Sequence, residues 1–330
     1  MSNSILSLPG DETTVLDPLI REFRECFQEL LDDVEERLSG RNFIFSRYGK
    51  DIYPYIEDSG DSPAPGCIIP LTEGRLVSSV DSTCVLIGET SEGALYAARS
   101  AVGVSFKWAV RRYFRIGPIL VYASTAGLKG LGGHVSRAEL SLLLSDHAIA
   151  ERMIRNVVER RIIESLLSGD GRPVVMADGS LKHPYGKLSG QGSFSRAGRG
   201  VLVGFSKSSA LIFNEGAVGA LTRSRGPCYH LLDDGGTKTL LAKFSPDGLV
   251  FRLDVDGGSK PVEETLGTIL GNDAFAAGYP ESLKVAHHLS IFSKADDQAL
   301  KAYVTKRFRV RSLPTFTLRS IALGGFKGGA

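Results

Sequence analysis

RLVSSVDSTCVLIGET, residues 75–90, has the composition of a buried strand with a single acid in its middle. Val77, Val80, Val85, Leu86 and Ile87 supply the β-branched and apolar character. Asp81 interrupts it. An isolated carboxylate costs several kcal/mol to bury, on the order of 2–7 for a polar group and more for a charge, so Asp81 needs a partner, a proton or a metal. Taken alone, the plainer reading is a strand aspartate hydrogen-bonded to Ser82 or Thr83. A second segment of the same kind shifts the balance. PVVMADGSL, residues 173–181, reads as a short apolar strand (Val174, Val175, Met176) that gives way at Asp178-Gly179. Ligands of open α/β sheets collect beyond the carboxyl ends of strands. Two strands carrying aspartates there can bring both carboxylates to one place. At about 5 Å the two charges repel by roughly 3 kcal/mol at an effective dielectric of 20. A divalent cation is the usual way to hold such a pair.

Working outward, three strand candidates run over about 76–87, 94–105 and 108–122, with a turn at Thr90-Ser91-Glu92-Gly93 between the first two. Three consecutive antiparallel strands form a meander. A helix is expected to start near Ser136, where Ser136 and Glu139 form a capping-box pattern. Its apolar positions continue from Leu140 to Leu166, carrying it to about Ser168. The Asp178 strand follows. Three strands, a helix and a further strand, with acids on two strands, is the order of a ribonuclease-H-like fold. The expected class is therefore α/β, a ribonuclease-H-like mixed sheet flanked by helices. VLVGFSKSS reads as a strand ending at Lys207, and residues 227–254 as two or three more. DVDGGSK, with Asp254 and Asp256, lacks the spacing of a calcium loop and reads as a hairpin turn. Residues 261–271 and 281–307 have helical character. GKLSGQGSFSRAGRG, within residues 186–200, is a poor core former and reads as a loop.

Ahead of this domain lies an arm. Leu19, Ile20, Phe23, Phe27, Leu30, Leu31 and Val34 recur at helical spacing over residues 17–38. Residues 58–66, DSGDSPAPG, form a loop by composition. The expected division is an N-terminal lead and helical arm, 1–60, and a single large domain, 61–330.

The chain has 330 residues and a net charge of only +2, so no global polybasic signal exists. The distribution is uneven. Residues 1–60 hold thirteen acids against six Lys or Arg, residues 97–161 hold eleven Lys or Arg against four acids, and residues 301–330 hold seven against none. A basic face on a near-neutral protein suits a polyanion. In the third strand candidate, Trp108, Val110, Tyr113 and Phe114 alternate with Lys107, Arg111, Arg112 and Arg115, a pattern that fits a basic DNA-binding groove as well as an amphipathic strand with a solvated face. The four cysteines are scattered with no CxxC pair, which argues against a zinc ribbon and for a reducing compartment, with a cytoplasmic location expected. No apolar run approaches the 18 or so residues that span a membrane.

A third carboxylate would complete an oxygen-rich site for Mg²⁺ or Mn²⁺. The helix offers Glu139, Glu151, Glu159 and Glu164, and spacing alone does not choose between Glu159 and Glu164. In GYPESLKVAHH, Tyr279 and His287 are eight residues apart and fall near one face of a helix beginning at Pro280. A tyrosine and a histidine beside such a site can position a phosphate or a water.

These motifs resemble the NurA family of nucleases over about residues 70–305. The markers are VDST at 80–83, VERRIIESLL at 158–167, MADGSL at 176–181, VGFSKS at 203–208 and GYPESLKVAH at 278–287. The first acid is followed by Ser82, where the family often has glycine. The resemblance implies that Asp81, Glu159 and Asp178 are metal-binding acids and selects Glu159 over Glu164. It makes Tyr279 and His287 the other active-site residues, with His287 a further metal ligand, and matches Lys207 to a lysine of the family pattern, here expected near DNA with Arg111 and Arg112. It also implies a deoxyribonuclease using Mn²⁺ or Mg²⁺, two ions in number, with 5′-to-3′ exonuclease and single-strand endonuclease activity. Such proteins look like homodimers that dock on a hexameric HerA-type ATPase and process DNA ends in double-strand break repair. The alternative is a non-catalytic DNA-binding or scaffold subunit of a translocase.

Overall fold

The computed structural model describes residues 64–72, 75–124, 127–128, 144–168, 173–181, 200–207, 215–256 and 261–310, together with Asp32 and Ser141. The chain divides into Met1–Pro54 and Tyr55–Ala330, and the elements below belong to the second unit. The helical arm expected at 17–38, the capping box at Ser136 and Glu139, most of the loop at 186–200 and the basic tail beyond 310 lie outside the described residues.

The three-strand meander is present and longer than its apolar runs. It comprises β2 (Val77–Thr90), β3 (Gly93–Phe106) and β4 (Ala109–Ser124), all antiparallel. The other strands are β1 (Gly66–Cys67), β5 (Gly127–Leu128), β6 (Val174–Asp178), β7 (Val201–Ser206), β8 (Cys228–Asp233), β9 (Lys238–Lys243) and β10 (Val250–Asp256). They form one ten-stranded sheet in the order β1-β8-β9-β10-β7-β6-β2-β3-β4-β5. β6 runs parallel to both β2 and β7, and the remaining neighbours are antiparallel. The segment β4-β3-β2-β6-β7 is a meander joined to two parallel strands, the arrangement expected from the sequence order. The result is a mixed α/β structure with a large mixed sheet flanked by helices.

The described helices are α1 (His147–Leu167), α2 (Glu215–Arg223), α3 (Val262–Asn272), α4 (Glu281–Ser290) and α5 (Lys294–Phe308). A small hairpin, β11 (Phe275–Ala276) with β12 (Tyr279–Pro280), precedes α4. Period-two alternation along the central strands builds two cores. Val80, Val175, Ala177 and Leu202 meet Ile163 and Leu167 of α1. Val77, Val174, Met176, Val203 and Phe205 meet Leu266 and Ile269 of α3 and Leu283 of α4. The near-continuous apolar runs of β6 and β7 are what a strand covered on both faces requires.

Three local expectations are corrected. The helix expected from Ser136 to Ser168 is interrupted at Asp146, whose extended backbone (φ −144°, ψ 114°) caps α1 by accepting from the Ala148 and Ile149 amides. A short acid that competes for backbone donors favours a cap over a helix interior. In DVDGGSK, Asp254 to Asp256 belong to β10 instead of a turn, and residues 257–260 lie outside the described residues. The stretch of helical character over 281–307 is divided into two helices. Ser293 and Asp296 form a reciprocal capping box that starts α5, and the buried Arg99 guanidinium holds the junction by donating to the Ile291 carbonyl and to both Asp296 oxygens.

Candidate metal centre

Asp81 and Asp178 stand side by side because β2 and β6 are parallel and in register, with Val80 opposite Ala177. β6 ends at Asp178, and the chain turns away through Gly179, whose φ of +107° suits glycine. The turn is tied down by Asp254 of β10. That carboxylate is fully buried, accepts from Ser180 Oγ, the Leu181 amide, Thr239 Oγ1 and the Arg252 guanidinium, and so has ample compensation for its charge.

The third ligand candidate comes from α4, which crosses directly over the strands. A Cβ at Gly103 of β3 would lie 2.6 Å from the Ser282 carbonyl oxygen, so only glycine admits the helix this close. Asp273 anchors the start of α4: it is buried, its Oδ2 accepts from Ser282 Oγ and its Oδ1 from the Ser282 amide at 3.3 Å. The Ser282 hydroxyl also meets Ser79 Oγ of β2. This seating delivers His287 to Asp81, with Nδ1 2.7 Å from Oδ2. Ligand atoms of Asp81, Asp178 and His287 all lie within 4.8 Å of one another.

The neighbours orient these groups. Asp81 Oδ1 accepts from the Ser82 amide at 2.8 Å, and Ser290 Oγ lies 3.2 Å from Asp81 Oδ2 and 2.9 Å from the His287 carbonyl. Asp178 Oδ2 is 2.8 Å from Lys207 Nζ. The Tyr279 hydroxyl donates to Asp178 Oδ1 at 3.5 Å, and its ring packs edge-on against Phe205 at 5.5 Å. Burial, and then the Asp178 and Asp81 charges, push the Tyr279 phenol well above its ordinary range, so it stays a donor.

Glu159 reaches the same region from α1 without joining that close group. Burial pushes its pKa up to about 8. Arg155 and the Ser82 hydroxyl oppose the shift, while the Asp81 and Asp178 charges add to it. Glu164, the alternative, pairs with Arg160 at 2.7 Å on the helix surface. Arg111 and Arg112 lie elsewhere. Asp81 pairs with Ala101 and Ala101 with Arg115, whereas Arg112 is level with Ser78 and on the outer strand, about 10 Å across the sheet.

Two carboxylates and an imidazole are a donor set that can hold a divalent cation. The 2.7 Å contact between His287 Nδ1 and Asp81 Oδ2 holds the ring facing the two acids. Sequence reasoning missed Ser290, Asp254 and Asp273. Ser290 lies two residues after the GYPESLKVAHH motif and Asp273 five before it, but nothing in their local pattern says that they fold back onto it.

No protein-family model matches the chain, and no curated protein sequence does. Solved structures similar to it include the NurA nuclease from Sulfolobus solfataricus, with a TM-score of 0.46 and 13% identity over 76% of this chain and 90% of that one. A second NurA crystal structure gives 0.43 and 12%, over 87% and 97%. Endonuclease V of Ciona intestinalis, in complex with DNA containing an inosine followed by a ribo-adenosine, gives 0.36 and 13%, over 70% and 88%. The structural neighbours of this chain are thus NurA nuclease crystal structures, with endonuclease V beside them.

Proposed function

We propose that the chain is a divalent-metal-dependent deoxyribonuclease acting at DNA ends. The observation that carries this reading is the meeting of Asp81, Asp178 and His287 within 4.8 Å at the end of β6. Asp81, Asp178 and His287 would hold the cation, Mn²⁺ or Mg²⁺, with Glu159 as a further carboxylate, and the motif resemblance supports a second ion. The metal supplies an activated water and charge stabilisation at the phosphate and the leaving oxygen. Tyr279 offers a hydroxyl donor to a phosphate oxygen. Lys207 offsets the Asp178 charge and supplies a cation facing the substrate backbone.

The motif resemblance supports the finer assignments. We take the protein to have 5′-to-3′ exonuclease and single-strand endonuclease activity, to form a homodimer, and to work with a HerA-type hexameric ATPase in double-strand break repair. Light scattering on the pure protein is expected to give a dimer at micromolar concentration. A monomer that also fails to co-elute with a HerA-type ATPase would remove the assembly part of the reading and leave the nuclease part standing.

The test of the activity is incubation of the pure protein with labelled single-stranded DNA and Mn²⁺. Cleavage is expected, abolished by EDTA and by Asp81→Asn. Asn keeps the shape of Asp81 and an oxygen acceptor for the Ser82 amide, so the variant is expected to stay folded. Folded protein that does not cut with Mn²⁺ or Mg²⁺, or that cuts equally in EDTA, overturns the assignment.

A further inference from the structure

A cleft of about 310 Å³ opens between β2 and the first turns of α1, lined by Ser82, Thr83, Cys84, Ala148, Glu151, Arg152 and Arg155. It adjoins the metal centre through two shared residues. The Ser82 amide donates to Asp81 and its hydroxyl acts on Glu159, while Arg155 lines the cleft and acts on the Glu159 charge. The walls differ in character. Glu151 is turned toward β2, where its Oε1 accepts from the Leu86 amide at 2.8 Å. Arg152 and Arg155 are exposed, whereas the buried Ser82 hydroxyl pairs with Ser100 Oγ at 2.6 Å and Thr83 Oγ1 faces Ser290 Oγ at 3.4 Å. Cys84 carries no reactive thiolate, because burial and then the Glu151 charge push its pKa up to about 12. The cleft is therefore a cationic seat and not a nucleophilic site. Its volume lies at the lower end of the roughly 300–1,000 Å³ of small-molecule sites, room for a phosphate with its sugar.

We propose that this cleft is a phosphate-binding subsite, in which Arg152 and Arg155 hold a phosphate of the nucleic-acid strand next to the one presented to Asp81 and Asp178. The inference rests on the nuclease reading for the identity of the strand. Guanidinium–phosphate pairs are charge-assisted and directional, and arginine is suited to them by its planar fork. One occupied subsite beside the acids fixes the register of the strand. The phosphate is either an internal phosphodiester or a terminal 5′-phosphate.

The experiment measures fluorescence anisotropy of a 3′-labelled single-stranded 20-mer with the full chain in EDTA, as the 5′-phosphorylated and the 5′-hydroxyl oligonucleotide. The double variant Arg152→Ala with Arg155→Ala is expected to raise Kd about tenfold or more near 150 mM salt, and to reduce the slope of log K against log salt by about 0.7 for each phosphate no longer held. The corresponding Lys pair, which keeps the charge, should recover much of the slope. Weaker binding of both oligonucleotides identifies an internal phosphodiester, and weaker binding of the phosphorylated one alone identifies a terminal phosphate. Unchanged Kd and slope on both overturn the subsite. A cleavage assay on the same wild-type preparation separates the two claims. Cleavage with unchanged binding in the double variant removes only the subsite, whereas no cleavage with any divalent metal removes the nuclease reading and leaves a measured loss of phosphate binding standing.

Discussion

Single residues divide sharply between the candidate metal centre and its surroundings. Glu159 and Glu164 are five positions apart on α1, and the structure separates them: the first is acted on by Asp81 and Asp178, the second pairs with Arg160. Glu159→Ala is expected to lower cleavage by at least about a hundredfold, and Glu164→Ala to change it little, since exposed i,i+4 pairs contribute only about 0.3–0.5 kcal/mol. Initial rates for the two variants decide this, and an inactive Glu164→Ala beside an active Glu159→Ala would reverse the assignment. Ser290 is a positioning residue, because its hydroxyl lies on Asp81 Oδ2 and the His287 carbonyl. Ser290→Ala should cost about tenfold in metal affinity, in the range seen for groups that orient ligands, with Ser290→Thr recovering part of it. An unchanged metal-activation curve for Ser290→Ala would show that Asp81 and His287 orient each other without it.

At the scale of elements, the placement of α4 decides whether His287 reaches the acids. Its anchor, Asp273, has its pKa pushed up to about 6 by burial, against its hydrogen bonds from Ser282 and Ala274. The fully buried carboxyl thus binds a proton more tightly in the folded than in the unfolded chain. Its stabilising contribution is complete below about pH 4 and is lost as pH rises through about 6. Urea unfolding of the wild type and Asp273→Asn across pH 4–7 is expected to show the wild type losing stability relative to the variant as pH rises. A constant difference across that range would mean that Asp273 does not titrate in this window. The elements themselves are legible in the sequence to different degrees. β2, β3, β4, β6 and β7 follow from alternation and apolar runs, and Asp81 and Asp178 stand out as acids on two of them. The break at 291–293 is hidden, although Ser293-x-x-Asp296 is a local capping signal, because the apolar positions continue across it. The cause of the break is non-local: Arg99, on β3, holds Asp296 well below the usual carboxylate range and stacks on Phe292 at 4.1 Å. Asp254 resembles turn chemistry because DVDGG looks like a turn, and its partners Ser180 and Thr239 are far away in sequence.

At the scale of the whole molecule, β4 forms the long outer margin of the described sheet. β5 covers only Ala123 and Ser124. Arg111, Arg112, Tyr113, Phe114 and Arg115 are exposed, with Trp108 beside them. Arginines and Pro118 along an edge discourage pairing with another strand, while interleaved aromatics and cations suit a single-stranded nucleic acid. Tyr113→Ala with Phe114→Ala in an Asp178→Asn background is expected to weaken single-stranded DNA binding by about 1–3 kcal/mol per stacked base. Binding by Asp178→Asn alone should fall steeply between low and physiological salt. Affinity that is flat with salt and indifferent to both aromatics would leave β4 as a solvated margin. The central claim is that Asp81, Asp178 and His287 act together as one metal centre. Its most direct measurement is calorimetric titration of Mn²⁺ into the metal-free full chain and into Asp178→Asn and His287→Ala. The account predicts saturable binding by the wild type that weakens at least about tenfold in both variants, which remain folded. Equal affinity in all three proteins would contradict it.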